Sequence, residues 1–334
     1  MGVGKLVVGP GPHIRDRDDV KTIMWWVVIS LMPALIASVL FWGIRPLIMT
    51  LISVVVAVGS EYLFSKLFNL PIRIDDGSAV ITGILLAFNV TPNAPWWIFA
   101  VGSFFAIVFG KMVFGGLGYN PVNPALAGRA FLMASWPVIM TADWIPANFL
   151  FKGPMGGIDG FTSATPLNVY KYNQLTIDQL KEALMPLFIG NVGGVLGETS
   201  AIALLIGAAI LFYKKIISWR IPFTYIGTVF ILAWIFQKSG AQFTKDFWVE
   251  PMFHVLAGGL ILGAFFMATD MVTSPITPKG QIIFGVGLGV LTYLIRRLGG
   301  YPEGVSYSIL LMNLTVPFLN KLTIPRIFGH KDKK

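Results

Sequence analysis

The run Asp159-Gly160-Phe161-Thr162-Ser163-Ala164-Thr165 gathers three hydroxyls beside one carboxylate and one glycine. Thr165 follows two small residues, so its hydroxyl is accessible to a modifying enzyme. Gly160 lets the backbone turn without a Cβ penalty, and Pro166 restrains Thr165 to an extended backbone. A hydroxyl so placed is an attachment point, because esterification through a phosphate would tether a cofactor there covalently. The same residue types dominate ordinary turns, so the run taken alone reads equally well as a loop. Other chemistry is sparse. With no cysteine, the chain has no disulfide, thiolate metal site, iron–sulfur ligation or thiol nucleophile of its own. His13, His254 and His330 lack metal-ligand spacing. No Gly-x-Gly-x-x-Gly follows a strand, so nucleotide handling falls to a partner.

The elements that must position this run are membrane helices. The chain has 334 residues, 55% hydrophobic and 12% charged, which is too apolar for a soluble domain. Apolar runs fall at about 22–42, 46–65, 77–90, 96–114 and 122–140, then at 198–213, 221–237, 252–268, 280–295 and 304–320, five on each side of a polar loop. The third is short and the eighth is glycine-rich, and both precede Pro, Thr or Asp, as broken or re-entrant segments do. Gly115 to Pro121 corresponds to Gly299-Gly300-Tyr301-Pro302, and Thr82 to Phe88 resembles Gly258 to Ala264. The expected fold is therefore an all-α polytopic membrane protein of about ten transmembrane segments in two inverted five-segment repeats. Its parts are an N-terminal cytoplasmic segment (1–21), a first repeat (22–140), an extracytoplasmic loop (141–197), a second repeat (198–320) and a basic cytoplasmic tail (321–334).

The formal charge of +9 flanks apolar spans instead of forming one stripe, which argues for loop orientation and against nucleic acid. With both termini inside, fifteen bases face the cytoplasm and eight the other side, although Arg296 and Arg297 run against the bias. The first apolar run lacks a small-residue cleavage site and is expected to stay. Trp25, Trp26, Trp42, Trp96, Trp97 and Trp144 gather near span ends as an aromatic belt. Within the spans, Glu61 and Asp270 are candidates for a Na+ or H+ path, and both also fit solvated interface positions. Asp270 is the stronger, since the oxygens of Thr269, Thr273 and Ser274 suit a hard cation. Lys111 and Arg129 are expected to snorkel to the cytoplasmic interface, or Arg129 to hydrogen-bond a ligand held between the repeats.

Asp159 to Thr165 resembles the Asp-Gly-x-Ser/Thr-Gly-Ala-Ser/Thr acceptor of flavin transferases of the ApbE type, with Ser163 in place of the usual glycine. Together with Gly11-Pro12-His13-Ile14-Arg15, Ile23-Met24-Trp25, Asn120-Pro121-Val122-Asn123-Pro124-Ala125 and Phe266-Met267-Ala268-Thr269-Asp270, it makes nearly the whole chain similar to the RnfD/NqrB family. The resemblance implies FMN joined to Thr165 by a phosphoester, with Asp159, Gly160, Thr162, Ser163 and Ala164 as the recognised acceptor. It also implies a noncovalent second flavin, riboflavin, in the half-helix region near Arg129. On the same ground the chain is expected to be a subunit of an ion-translocating oxidoreductase in the prokaryotic inner membrane. Its partners would be RnfA, RnfB, RnfC, RnfE, RnfG, the transferase and lipid, and no complete active site would lie in this chain alone. A urea-transporter-like channel without a redox role is the competing expectation.

Overall fold

The computed structural model describes residues 19–141, 165–172, 175–198, 200–238, 240–300 and 303–325. Asp159, Gly160, Thr162, Ser163 and Ala164 lie outside the described residues, as do His13 and His330. Among the described residues there are helices and turns and no strand. The first half contains α1 (Val20–Trp42), α2 (Arg45–Leu67), α3 (Ser78–Phe88), α4 (Trp96–Val108), α5 (Pro124–Ser135) and α6 (Pro137–Thr141). Beyond it come α7 (Pro166–Tyr172) and α8 (Ile177–Ile189). The remainder is α9 (Ala201–Tyr213), α10 (Arg220–Ile235), α11 (Val249–Leu256), α12 (Leu260–Leu262) continuing as a π-turn over Gly263–Met267, α13 (Pro278–Leu298) and α14 (Val305–Leu322).

Every apolar run expected from the sequence contains a helix, but the lengths differ. Val20–Trp42, Arg45–Leu67, Trp96–Phe114 and Pro278–Leu298 are long and apolar enough to cross a membrane, and α11 with α12 and its π-turn would make a fifth span bent by 66°. The run at 122–140 is divided, because Pro137 offers no N–H to continue α5 and keeps Trp136 out of the helical region (φ −134°, ψ 61°). Helices α7 and α8 interrupt what reads as one polar loop. Thr176 and Gln179 form a capping box at the start of α8, with Thr176 N–H donating to Gln179 Oε1 at 3.0 Å.

Helix α2 packs on α3 and α4, and α10 packs on α11 and α13. In the same way α4 meets α5 and α13 meets α14, while α1 meets α9 and α5 meets α14. The main core draws Leu86, Phe99 and Leu126 from the first half and Tyr225, Phe284 and Leu288 from the second. Buried hydroxyls tie helices within each half: Ser53 donates to Gly83 O (2.6 Å) and pairs with Ser103 (2.7 Å), and Thr292 pairs with Tyr225 and Ser308 (2.6 Å each). Ile36, Val55, Leu63, Leu314 and Phe318 project outward and exposed, as a lipid-facing surface requires.

Small residues set the closest crossings. A Cβ on Gly207 of α9 would lie 2.0 Å from Ser30 O of α1. Backbone cannot retreat as a side-chain tip can, so Gly207→Ala is expected to cost at least about 1–3 kcal/mol. Thermal unfolding in detergent checks this. Gly227→Ala is the control, since nothing lies within 4 Å of its Cβ position.

Candidate functional site

Thr165 sits at the N-terminus of α7, where its carbonyl accepts from Asn168 N–H (2.8 Å) and Val169 N–H (3.0 Å). Its Oγ1 accepts from Asn168 N–H at 3.3 Å. The hydroxyl is not accessible as the sequence led one to expect, for Thr165 is only 5% exposed. The cause is docking of the loop: Leu167 and Tyr170 of α7 join Leu180, Ala183 and Leu187 of α8 and Val249 and Phe253 of α11 in a second apolar cluster.

That cluster sets Leu167, two residues after Thr165, against the bend of the broken helix. Gly258, at the break, has φ +74°, and a Cβ there would lie 2.6 Å from Leu167 Cδ1. Gly258→Ala is thus strained twice over and is expected to lower stability by about 1–3 kcal/mol. Arg296 of α13 closes the same corner, donating to the buried carbonyls of His254 (2.5 Å) and Ala257 (3.1 Å) at the end of α11. Beside it lies a small cleft, about 330 Å³ with its open mouth included, with Leu167, Tyr170, His254 and Tyr293 as its walls. Lys171, Lys238, Arg296 and Arg297 supply its charge. Burial first, and then the neighbouring Lys238, hold the Lys171 ammonium below the ordinary lysine pKa. Tyr170 donates to Glu250, and burial followed by that bond pushes its phenol above the ordinary tyrosine pKa.

Two ion pairs lie inside the bundle among the described residues. Lys111 does not snorkel: it is 1% exposed and its Nζ donates to Glu61 Oε1 (2.8 Å), Glu61 Oε2 (2.9 Å) and Ser78 Oγ (2.7 Å). Glu61 is correspondingly 4% exposed, so it is a buried ion-pair partner and not a solvated interface residue. Arg129 likewise stays inside, at 4% exposure, donating to Asn89 Oδ1 (2.5 Å) and pairing with Glu303. Asn89 in turn donates to Leu85 O (2.6 Å) and contacts Met267 Sδ (3.8 Å). The C-terminal ends of the two short segments therefore meet at Asn89 and Met267. Sequence spacing could not reveal these pairs, whose members lie 50 and 174 residues apart.

Asp270 lines a second, larger cleft of about 760 Å³, its mouth included. One wall carries Ser78, Thr82 and Lys111, the other Phe265, Phe266 and Thr269. Asp270 Oδ2 accepts from Thr273 Oγ1 (2.9 Å), while Thr269 Oγ1 donates to Phe265 O (2.6 Å). Thr273 and Ser274 are not among the lining residues, so of the four oxygen-bearing residues grouped by sequence only Thr269 and Asp270 face the cleft. Among the described residues no cluster of three His, Cys, Asp or Glu side chains could hold a metal. Arg129 also lies outside this lining. Sequence reasoning missed Asn120, whose Oδ1 is buried in the same cleft without a partner. The Asn-Pro-x-Asn-Pro punctuation before α5 was its signal.

Apolar helices, a bent helix pair and polar groups converging between the halves define a multi-pass membrane protein with sites between its helices. The chain belongs to the NQR2, RnfD, RnfE family, matching it over residues 7–329. It is 47% identical over 329 residues to the D subunit of the proton-translocating ferredoxin:NAD(+) oxidoreductase complex of Clostridium ljungdahlii, covering 97% of this chain and 96% of that one. The D subunit of the Na(+)-translocating ferredoxin:NAD(+) oxidoreductase complex of Acetobacterium woodii is 46% identical over 327 residues, 97% and 95% of the two chains. The D subunit of the ion-translocating oxidoreductase complex of Marinobacter nauticus is 36% identical over 341 residues, 97% and 96% of the two chains.

Proposed function

We propose that this chain is the membrane flavoprotein subunit of an Rnf-type complex. In that reading electron transfer between ferredoxin and NAD, at the level of the whole complex, drives Na+ or H+ across the prokaryotic cytoplasmic membrane, and FMN is carried on Thr165. The observation that carries this reading is near-full-length identity of 46–47% to the D subunits of two such complexes. Those two are named for different ions at almost equal identity, so identity of this degree does not select the ion.

Bound at Thr165, FMN would supply reversible electron transfer through its isoalloxazine ring. The residues present fit the charge of such a group, since Lys171, Lys238, Arg296 and Arg297 line the cleft beside the Thr165 helix. Because Thr165 is buried, the ApbE-type transferase acts before α7 docks on α8 and α11. Asp159 to Ala164 serve the transferase as its recognition sequence. With both termini cytoplasmic the loop is extracytoplasmic, and RnfA, RnfB, RnfC, RnfE and RnfG are the partners that supply the remaining chemistry.

The matching helix pairings support two inverted repeats and ten crossings. In each half the second helix packs on the third and fourth, the fourth packs on the fifth, and the first and fifth helices meet their counterparts. The large cleft between the third segments suits a noncovalent flavin such as riboflavin, because its walls are mostly apolar and the orphaned Asn120 Oδ1 would accept a ligand N–H or O–H. Asp270 at its rim is the candidate for the ion path. Coupling then requires that the redox state alter the relative free energies of two ion-binding states.

The test is the intact mass of the full chain produced with and without a flavin transferase of the ApbE type. One FMN phosphoester, present only with the transferase, is the expected result. An unmodified mass under both conditions would favour the channel of urea-transporter type.

A further inference from the structure

The tight turn Leu196–Glu198, outside α8 and α9, is wedged between the two short segments. Leu196 N–H donates to Val90 O (3.2 Å) just past α3, and a Cβ on Gly197 would lie 2.5 Å from Phe88 Cβ and 2.9 Å from Leu262 Cδ2. At the bend of the broken helix, a Cβ on Gly259 would lie 2.8 Å from Glu198 Oε1. The turn therefore delivers a carboxyl group to the joint between the halves. We infer that Glu198 is a proton-binding site at this joint, its carboxyl set among Glu303, Arg129 and Arg296. Proton binding rests on this geometry alone, and any use of it in transport rests on the function proposed above.

The charges that act on Glu198 come from three other places: Arg129 of α5, Arg296 of α13 and Glu303 just before α14. All three have other partners. Arg129 pairs with Glu303 and donates to Asn89 Oδ1 (2.5 Å), while Arg296 directs its two terminal nitrogens to His254 O and Ala257 O. Glu198 Oε1 is left buried without a hydrogen bond, and so is the Nε of Arg296, a side chain 4% exposed that acts on both Glu198 and Glu303. The helices against which the turn packs add no further charge to Glu198: α3 and α12 contain no titratable residue, and Lys21 of α1 pairs with Asp75. A carboxylate oxygen kept from water without a donor is unfavourable, and a proton on that oxygen is the smallest change that relieves it. Burial first, and then Glu303, favour the acid form of Glu198, against Arg129 and Arg296. The proton sits on Oε1, where carboxylate becomes carboxyl and no other bond changes. Its way in is the small cleft. Arg296 lines that cleft, and a Cβ on Gly258 would lie 3.2 Å from Arg296 Nη2, so the Gly258–Gly259 pair lies between the cleft and Glu198.

The measurement is infrared spectroscopy of the detergent-solubilised full chain titrated with pH, beside thermal unfolding over the same range. In wild type the C=O band of a protonated carboxyl is expected to persist at least about 1 pH unit above the range of an ordinary glutamate. The band should vanish in Glu198→Gln and remain in Asp270→Asn. Glutamine is the neutral isostere of a protonated glutamate. Glu198→Gln should therefore match wild type in acid and exceed it at alkaline pH, because a carboxyl whose pKa is raised by folding loses its stabilising contribution as pH rises. A Glu198→Gln chain that folds poorly, or is less stable than wild type at alkaline pH, would show that the fold needs the charge and would overturn the inference. A band that survives Glu198→Gln, is lost in Asp270→Asn instead, or titrates with ordinary glutamates would overturn it equally. None of these readouts uses flavin, so the chain made without the transferase serves, and failure of flavin attachment would leave the proton site standing.

Discussion

Alanine at position 165 is expected to give a chain that folds and inserts normally but shows no flavin fluorescence on a denaturing gel after coexpression with the transferase. The structure separates these two consequences. In folding terms Thr165 contributes one weak cap, Oγ1 accepting from Asn168 N–H at 3.3 Å, and its carbonyl bonds to Asn168 and Val169 survive the substitution. Loss of a cap costs about 1 kcal/mol, small against the apolar cluster that docks α7 on α8 and α11. In chemical terms the loss is total, because alanine has no oxygen to esterify. Thr165→Ser restores a hydroxyl and should restore the fluorescent band. A band that persists in Thr165→Ala would move attachment to Thr162 or Ser163, and a dark band in wild type and variant alike would remove the redox reading. Thermal unfolding of both variants, within about 1 kcal/mol of wild type, checks that lost folding is not the cause.

Burial of Thr165 adds an order of events. With Thr165 5% exposed, the proposed attachment would have to precede docking of α7. Weakening the docking cluster, by Phe253→Ala for example, should therefore speed flavin attachment to purified protein while lowering its stability by about 3–5 kcal/mol. Time courses of attachment measured beside unfolding curves separate the two effects.

Much of the helical plan was legible because bilayer-length apolar runs announce themselves in composition. The expected starts of α1, α2 and α4 at 22, 46 and 96 lie within two residues of the observed Val20, Arg45 and Trp96. What escaped was set by long-range packing. The loop helices α7 and α8 are stabilised by contact with α11, and only the Thr176–Gln179 capping box marked one of them locally. The break in α5 was written in Trp136-Pro137 but outweighed by continuous hydrophobicity. The candidate site was legible as residue types and not as pairs. Glu61 read as an isolated charge within a span and Lys111 as a snorkelling one until the fold brought them together, and Arg129, read as snorkelling or as ligand-bonding, is held inside by Asn89 and Glu303. Around Asp270 the sequence neighbours are also spatial ones, Thr273 donating to its carboxylate and Thr269 sharing its cleft.

Breaking the Glu61–Lys111 pair is expected to cost as much stability as any core truncation. Lys111→Met would leave the Glu61 carboxylate 4% exposed without its two bonds of 2.8 and 2.9 Å, and would also remove the donor to Ser78 Oγ. Breaking a buried pair from one side costs about 3–5 kcal/mol, because the remaining charge is uncompensated, whereas replacing both partners by apolar groups is often neutral. The double variant Glu61→Leu/Lys111→Met is therefore expected to recover most of what Lys111→Met loses; Ser78 keeps its own bond to Asp76 at 2.5 Å. Unfolding curves for both single variants and the double variant measure that coupling directly. The same set decides whether Glu61 conducts. A carboxylate whose charge is neutralised by a buried ammonium bonded to both its oxygens is a weak ligand for a passing cation, so the double variant, assembled into the complex, should still move Na+ or H+ into vesicles. A stable double variant that transfers electrons but moves no ion would instead restore Glu61 to the ion path and make Lys111 its counter-charge.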